Sequence, residues 1–383
     1  MNTRYVKLIG FIKTLYPGTD YIPLHAPIFV GNERRYVLDA IDSTYVSSVG
    51  AYVNKFEEMM CEITGAKYAI AMVNGTNALH MGLLLVDVIQ SDEVISQSLN
   101  FIATANAISY IGATPVFIDV DKDSMGMSPQ SLSDFLMING EIRSDGFCYN
   151  KTSNKRIKAC VPMHTFGSPC RIDEIAEICL AYNISLVEDA AESLGSFYKK
   201  QHTGVFGKVG IFSFNGNKTV TSGGGGVLIS DDPQLAKRAK HLSTQAKVSH
   251  PWAFIHDEIG YNYRMPNLNA ALACAQLEQL NSFVEKKRVI AANYQEFSKA
   301  SGIAFTSEIE DAKSNYWLNC ILLGTAVERD EFLKFANENG VMSRPVWELM
   351  HRLPMFKTSQ TGNLSNSEWL ADRLVNIPSS VKL

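Results

Sequence analysis

Nothing in this sequence reads as a thiol-based scaffold. Its seven cysteines, at positions 61, 148, 160, 170, 179, 274 and 320, are odd in number and form no Cys-x-x-Cys pair. That spacing argues against a disulfide framework and against a zinc site, and reduced thiols are expected. No apolar run approaches the roughly 20 residues that span a bilayer. The apolar stretch at 8–12 (LIGFI), flanked by Lys7 and Lys13, is shorter than a secretory core, and no small-residue cleavage pattern follows it. A cytoplasmic location with no membrane partner is expected. Charge of either sign is not in excess: 35 Lys+Arg stand against 39 Asp+Glu, a net charge of −4. Nucleic acid is therefore not an expected partner. No internal repeat or low-complexity tract occurs. His250 and His256 are separated by a segment containing Pro251, which is not the spacing of a helical metal pair. No metal is expected.

What is present is an ordinary folding composition. Hydrophobic residues make up 46% and charged residues 19% of 383 residues, which is too long for one simple core. Short apolar runs at 68–73, 93–95, 115–118, 158–162, 185–187, 211–214 and 227–229 alternate with amphipathic stretches. Continuous apolar runs of this length read as strands buried on both faces. Their alternation with helices predicts an α/β fold with a mostly parallel seven-stranded sheet. The polar segment 139–158 reads as an irregular surface excursion. Residues 268–293 read as one long helix bridging to a smaller α+β C-terminal domain. The expected division is an N-terminal extension (1–22), a large domain (23–265), and the bridging helix with the small domain (266–383). His80 is expected to pack on the first helix of the sheet unit, and His202 to lie in a surface turn.

Three segments carry candidate chemistry. Asn74-Gly75-Thr76-Asn77 follows a strand and opens a helix. Free N–H groups and a partial positive charge there suit a phosphate, and Gly75 permits close approach. A plain βα turn capped by Asn and Thr has the same appearance. Glu188-Asp189 ends a buried strand at the sheet edge where α/β folds bind ligands, and an acid there can face a cationic ring nitrogen. Residues 210–226 place Ser213 and Lys218 between a strand and the run Gly223–Gly226. A lysine in that setting is either a Schiff-base nucleophile or a solvated side chain.

The Ser213-Phe214-x-x-x-Lys218 segment and its glycine cluster resemble the cofactor segment of the DegT/DnrJ/EryC1/StrS sugar aminotransferase family. Residues 73–79, 97–106, 161–167, 188–191 and 260–265 resemble further family segments in the same order. Residues 45–50 and 213–218 look most like the branch acting on UDP-linked 4-keto-6-deoxy-N-acetylhexosamines, which feeds bacillosamine and legionaminic-type sugars. The resemblance implies the fold-type I architecture of pyridoxal phosphate (PLP) enzymes and a homodimer with active sites at its interface. It further implies amino transfer from L-glutamate to C4 of the keto-sugar.

On that resemblance Lys218 carries PLP as a Schiff base and shuttles a proton, and Asp189 pairs with the ring nitrogen. Phe101 stacks on the ring. Gly75, Thr76, Asn77 and Ser213 hold the phosphate, together with Asn262 of the other subunit. Arg264 supports the phosphate or touches substrate. Ser47, Ser48, Tyr316, His351 and Arg352 are candidate sugar-nucleotide contacts, with a structural role equally open. Gly224 stands where the family often has an acid. Glu192 stands where the family commonly has Gln or His near the cofactor's O3′; a charged carboxylate would be repelled there, so Glu192 is expected to be protonated or turned away.

Four competing readings differ in class or substrate. A 3-keto sugar, or a dTDP- or GDP-linked one, would use the same catalytic set. A dehydratase of the same fold usually replaces the lysine with histidine. A non-catalytic PLP-binding regulator would need a broken catalytic set. A Rossmann dehydrogenase would need a GxGxxG run opening a helix, which is missing.

Overall fold

The computed structural model describes residues 3–382. Its chain opens on helix α1 (Thr3–Leu15) and builds a central sheet from seven strands. These are β1 (Tyr68–Met72), β2 (Glu93–Gln97), β3 (Thr114–Ile118), β4 (Ile157–Val161), β5 (Ser185–Asp189), β6 (Val209–Ser213) and β7 (Gly226–Ser230). Their spatial order is β1-β7-β6-β5-β4-β2-β3. Only β7 runs against its neighbours, so the sheet is mixed but mostly parallel, as expected. The apolar runs have the predicted cause: β2 and β5 are buried at every position, because helices cover both faces.

Helix α2 (Gly75–Leu85) follows β1 directly, and the Asn74 side chain caps it by accepting the Asn77 N–H at 2.8 Å. Helix α3 (Ile102–Tyr110) follows β2 with Phe101 at its cap position. Both helices begin at the carboxyl edge of the parallel strands, where β5 ends at Asp189.

Several expectations need correction. The run at 268–293 is two helices, α4 (Asn267–Leu277) and α5 (Leu280–Ser301). The break falls at Glu278, whose carboxylate accepts from Asn32 at 2.7 Å and Tyr36 at 2.6 Å. These partners lie far away in sequence, so helical periodicity cannot reveal them. The segment 139–158 contains a regular hairpin, Gly140–Ile142 paired with Cys148–Asn150. His202 is buried, not superficial: Nε2 accepts the Gly195 N–H at 2.8 Å and Nδ1 donates to the Thr203 carbonyl at 2.7 Å. Burial pushes its imidazole down to about 4.

The C-terminal part forms a second sheet of β8 (Ala304–Phe305), β9 (Asn319–Leu322), β10 (Arg344–Pro345) and β11 (Leu374–Ile377), with helix α6 (Ala326–Glu338) against it. Helix α1 joins this unit. Tyr5, Leu8, Ile9 and Ile12 share one apolar cluster with Ile290, Tyr294, Ile321 and Phe332. Each such side chain contributes roughly 1.5–3 kcal/mol relative to exposure. Residues 3–15 are thus packed against the C-terminal unit.

Candidate active site

A cavity of about 310 Å³ opens where β1, β5 and β6 end, within the range typical of small-molecule sites. It is lined by Asn74, Gly75 and Thr76 from the turn before α2, by Asp189 from β5, and by Ser213 and Lys218 from β6 and the loop after it. The three segments singled out by sequence therefore meet in one place. Phe101 and Glu192 line it too.

The turn is built for close approach. A Cβ on Gly75 would come within 2.9 Å of Ser213 Cβ. A Cβ on Gly226 would lie 2.4 Å from the Asn74 carbonyl carbon, so β7 can pass behind the turn only with glycine there. The Ser213 side chain is thereby brought against the N-terminus of α2, and hydroxyl and helix end together suit a phosphate. Asn77 lies on the first turn of α2 but outside the cavity lining.

Asp189 lies in the cavity wall. Thr104 Oγ1 donates to its Oδ2 at 2.6 Å and the Ala191 N–H donates to its Oδ1 at 3.2 Å. Burial pushes this carboxyl up, opposed by the Thr104 hydrogen bond, the Ala191 N–H and the charge of Lys218. A buried carboxylate with only two donors is suited to a further cationic partner.

Behind Asp189 lies a second buried pair. His164 Nε2 is 3.1 Å from Glu188 Oε2, and the His164 N–H donates to the Asp189 carbonyl at 3.2 Å. Glu188 also accepts the N–H groups of Gly204 at 2.8 Å, Phe206 at 2.5 Å and Gly207 at 2.8 Å. Burial alone would lower His164, but Cys170 and Glu188 outweigh it and push it up to about 10, against the Cys170 N–H, which donates to Nδ1 at 3.3 Å.

Lys218 reaches into the cavity from the loop. Its Nζ donates to Glu192 Oε1 at 3.3 Å and sits 4.0 Å from the ring centroid of Trp317. Glu192 is not turned away: its other oxygen accepts the Phe166 N–H at 2.8 Å, and burial pushes its carboxyl up. A nucleophilic amine, a buried acid and a phosphate-type turn around one cavity fit PLP, which needs all three.

The remaining expected residues lie elsewhere. Arg264 is committed to Glu57 Oε1 at 2.6 Å and the Ala71 carbonyl at 3.2 Å, and does not line the cavity. Tyr316 turns its hydroxyl to Gln295 at 3.2 Å, leaving the neighbouring Trp317 to face Lys218. His351 Nδ1 is 2.7 Å from Ser98 Oγ, outside the lining. Ser47, Ser48 and Asn262 also stand apart from this chain's cavity. Sequence reasoning missed the aromatic wall of Trp317 and Trp347, and it missed Thr104 as the partner of Asp189. For Thr104 a signal existed: it lies one helical turn after Asn100, at the start of the helix following β2.

Comparison with known proteins agrees with this geometry. The chain is 38% identical over 359 residues to a GDP-perosamine synthase of Escherichia coli O157:H7, covering 94% of this chain and 93% of the relative. It is 34% identical to a GDP-perosamine synthase of Vibrio cholerae, covering 94% of each. A Bacillus subtilis protein, EpsN, is 38% identical over 88% of this chain and 84% of its own length. The crystal structure of the aminotransferase TlmJ from Streptoalloteichus hindustanus superposes with a TM-score of 0.84 at 26% identity, covering 94% of this chain and 93% of that one. Residues 28–383 match the DegT/DnrJ/EryC1/StrS aminotransferase family, whose members depend on PLP, and the chain belongs to that family.

Proposed function

We propose that this chain transfers the amino group of L-glutamate to a keto-sugar carried on GDP. One observation carries the reading: Lys218, Asp189 and the turn at Asn74, Gly75 and Thr76 open onto one cavity. Similarity to two GDP-perosamine synthases supports GDP as the carrier. The UDP-linked branch expected from residues 45–50 and 213–218 is set aside on that ground. Amination at C4 is retained from the sequence reading.

In this reading Thr76, Ser213 and the N–H groups at the start of α2 hold the phosphate of PLP, and Asp189 faces its ring nitrogen. PLP supplies an electron sink, so that a proton can leave the carbon bonded to the transferred nitrogen. Lys218 Nζ carries the cofactor, and as a free amine takes that proton and returns it. The Thr104 hydroxyl orients Asp189. Phe101, Trp317 and Trp347 keep water from the reacting atoms.

A homodimer is part of the proposal, with Asn262 of a second copy completing the phosphate cradle. Asn262 does not serve its own cavity, and the segment before it exposes Trp252, Phe254 and Ile259 at 82%, 83% and 84%. Such apolar exposure suits a covered surface.

The test is direct. PLP-loaded protein should absorb visible light and bleach with L-glutamate. The glutamate-treated protein is then offered GDP-, UDP- and dTDP-linked keto-sugars. Amination of the GDP-linked sugar in preference to the others is expected; preference for a UDP-linked sugar would overturn the carrier assignment.

A further inference from the structure

The cavity holds one acid more than the proposed chemistry uses. Glu192 is 4% exposed, and each of its oxygens has its own donor, Lys218 Nζ at 3.3 Å and the Phe166 N–H at 2.8 Å. The backbone around it is fixed. Phe166 adopts a left-handed φ of 57°, and Gly167, at φ +90°, has no room for a Cβ because Asn315 Oδ1 would lie 1.9 Å away. Asn315 Nδ2 in turn donates to the Glu192 carbonyl at 2.9 Å. The Phe166 N–H, on this fixed backbone, holds the Glu192 carboxylate beside Lys218.

Charge then decides what Glu192 does. While Lys218 is an ammonium, the two form a buried ion pair, with side-chain exposures of 12% and 2%. If Lys218 loses its charge, Glu192 becomes a buried carboxylate with one backbone N–H for company. Asp189 repels it from the same cavity, and the Cys320 thiol is its other titratable neighbour. His25, which feels the charge of Lys218, is too deeply buried to supply a cation. A buried carboxylate without a counter-charge neutralises itself by taking a proton, and burial already pushes Glu192 in that direction.

We propose that Glu192 is the proton partner of Lys218: it steadies the ammonium while Lys218 is free and holds the proton once Lys218 is joined to an aldehyde cofactor. The step balances. A nitrogen–carbon bond forms, the aldehyde oxygen leaves as water, and the proton shed by the ammonium moves to Glu192 Oε1. No electrons are gained or lost. The cofactor half of this inference rests on the aminotransferase reading, whereas the pairing half does not.

The experiment compares wild type with Glu192→Gln, and uses Glu192→Asp as a second carboxylate variant. In cofactor-free protein, arylation of Lys218 by trinitrobenzenesulfonate is followed by mass spectrometry across pH. The midpoint for Lys218 should fall by at least about one pH unit in Glu192→Gln, since a neighbouring carboxylate favours the ammonium. Glu192→Asp should lie between the two. Calorimetry with PLP in buffers of different ionisation enthalpy then counts protons. Glu192→Gln should release about one proton more per site than wild type. An unmoved arylation midpoint would overturn the pairing, and equal proton counts would overturn the transfer. Failure of wild type to take up PLP would sink the aminotransferase reading and the transfer with it, while the arylation midpoint still decides the pairing.

Discussion

Lys218 Nζ rests over the ring of Trp317, 4.0 Å from its centroid, and the same indole donates Nε1–H to the Asn217 carbonyl at 2.6 Å. One side chain from the C-terminal unit thus fixes both the amine and the backbone turn that carries it. Trp317→Phe keeps an aromatic face and loses the hydrogen bond, at an expected cost of about 1 kcal/mol. Trp317→Leu also loses the cation–π contact and ring packing, and should cost roughly 2–4 kcal/mol. Urea unfolding of the cofactor-free variants checks the order.

Asp189→Asn keeps the shape of the cavity and the Thr104 contact but removes the charge that, in the proposed reading, faces the ring nitrogen. Steady-state kinetics should show kcat falling by about a hundredfold or more, with PLP still bound and its absorption altered. An unchanged kcat would remove Asp189 from the mechanism.

Glycine matters at one end of the Gly223–Gly226 run and not in its middle. Gly226→Ala would drive a methyl against the Asn74 backbone at 2.4 Å, whereas a Cβ at Gly224 meets nothing within 4 Å. Overpacking of that kind costs about 1–3 kcal/mol. Thermal unfolding should show Gly226→Ala destabilised and Gly224→Ala near wild type. PLP affinity should fall only in the first.

Much of this was legible from the chain alone. The strands declared themselves because parallel strands buried on both faces are apolar throughout, as β2 and β5 are. The turn at 74–77, Asp189 and Lys218 could be picked out because each lies at or just beyond a strand end, where local pattern and chemistry coincide. The rest depended on contacts distant in sequence. Glu278, at the helix break, is held by Asn32 and Tyr36, and the aromatic wall comes from two tryptophans of the C-terminal unit. Tyr316 and Trp317 are neighbours, and composition cannot show that Trp317 is the one that faces Lys218.

The buried His164–Glu188 pair should give the fold a pH dependence at the alkaline end. His164 is lifted from about 6.5 to about 10 on folding. Its contribution is therefore complete below about 6.5 and lost as pH rises through about 10. His164→Gln removes one partner of Glu188 and leaves its three backbone donors, at an expected cost of about 1–3 kcal/mol near neutral pH. The stability gap between wild type and variant should shrink between pH 7 and 10, as measured by denaturant unfolding at each pH; a constant gap would mean that His164 is uncharged in the fold.

On the proposed reading the amine at position 218 carries the cofactor through a covalent bond. PLP-loaded protein is reduced with borohydride, digested, and its peptides weighed. A pyridoxyl mass on the peptide containing Lys218, absent from Lys218→Ala, is the predicted result. The same mass on a different lysine, or on none, would remove Lys218 from the chemistry.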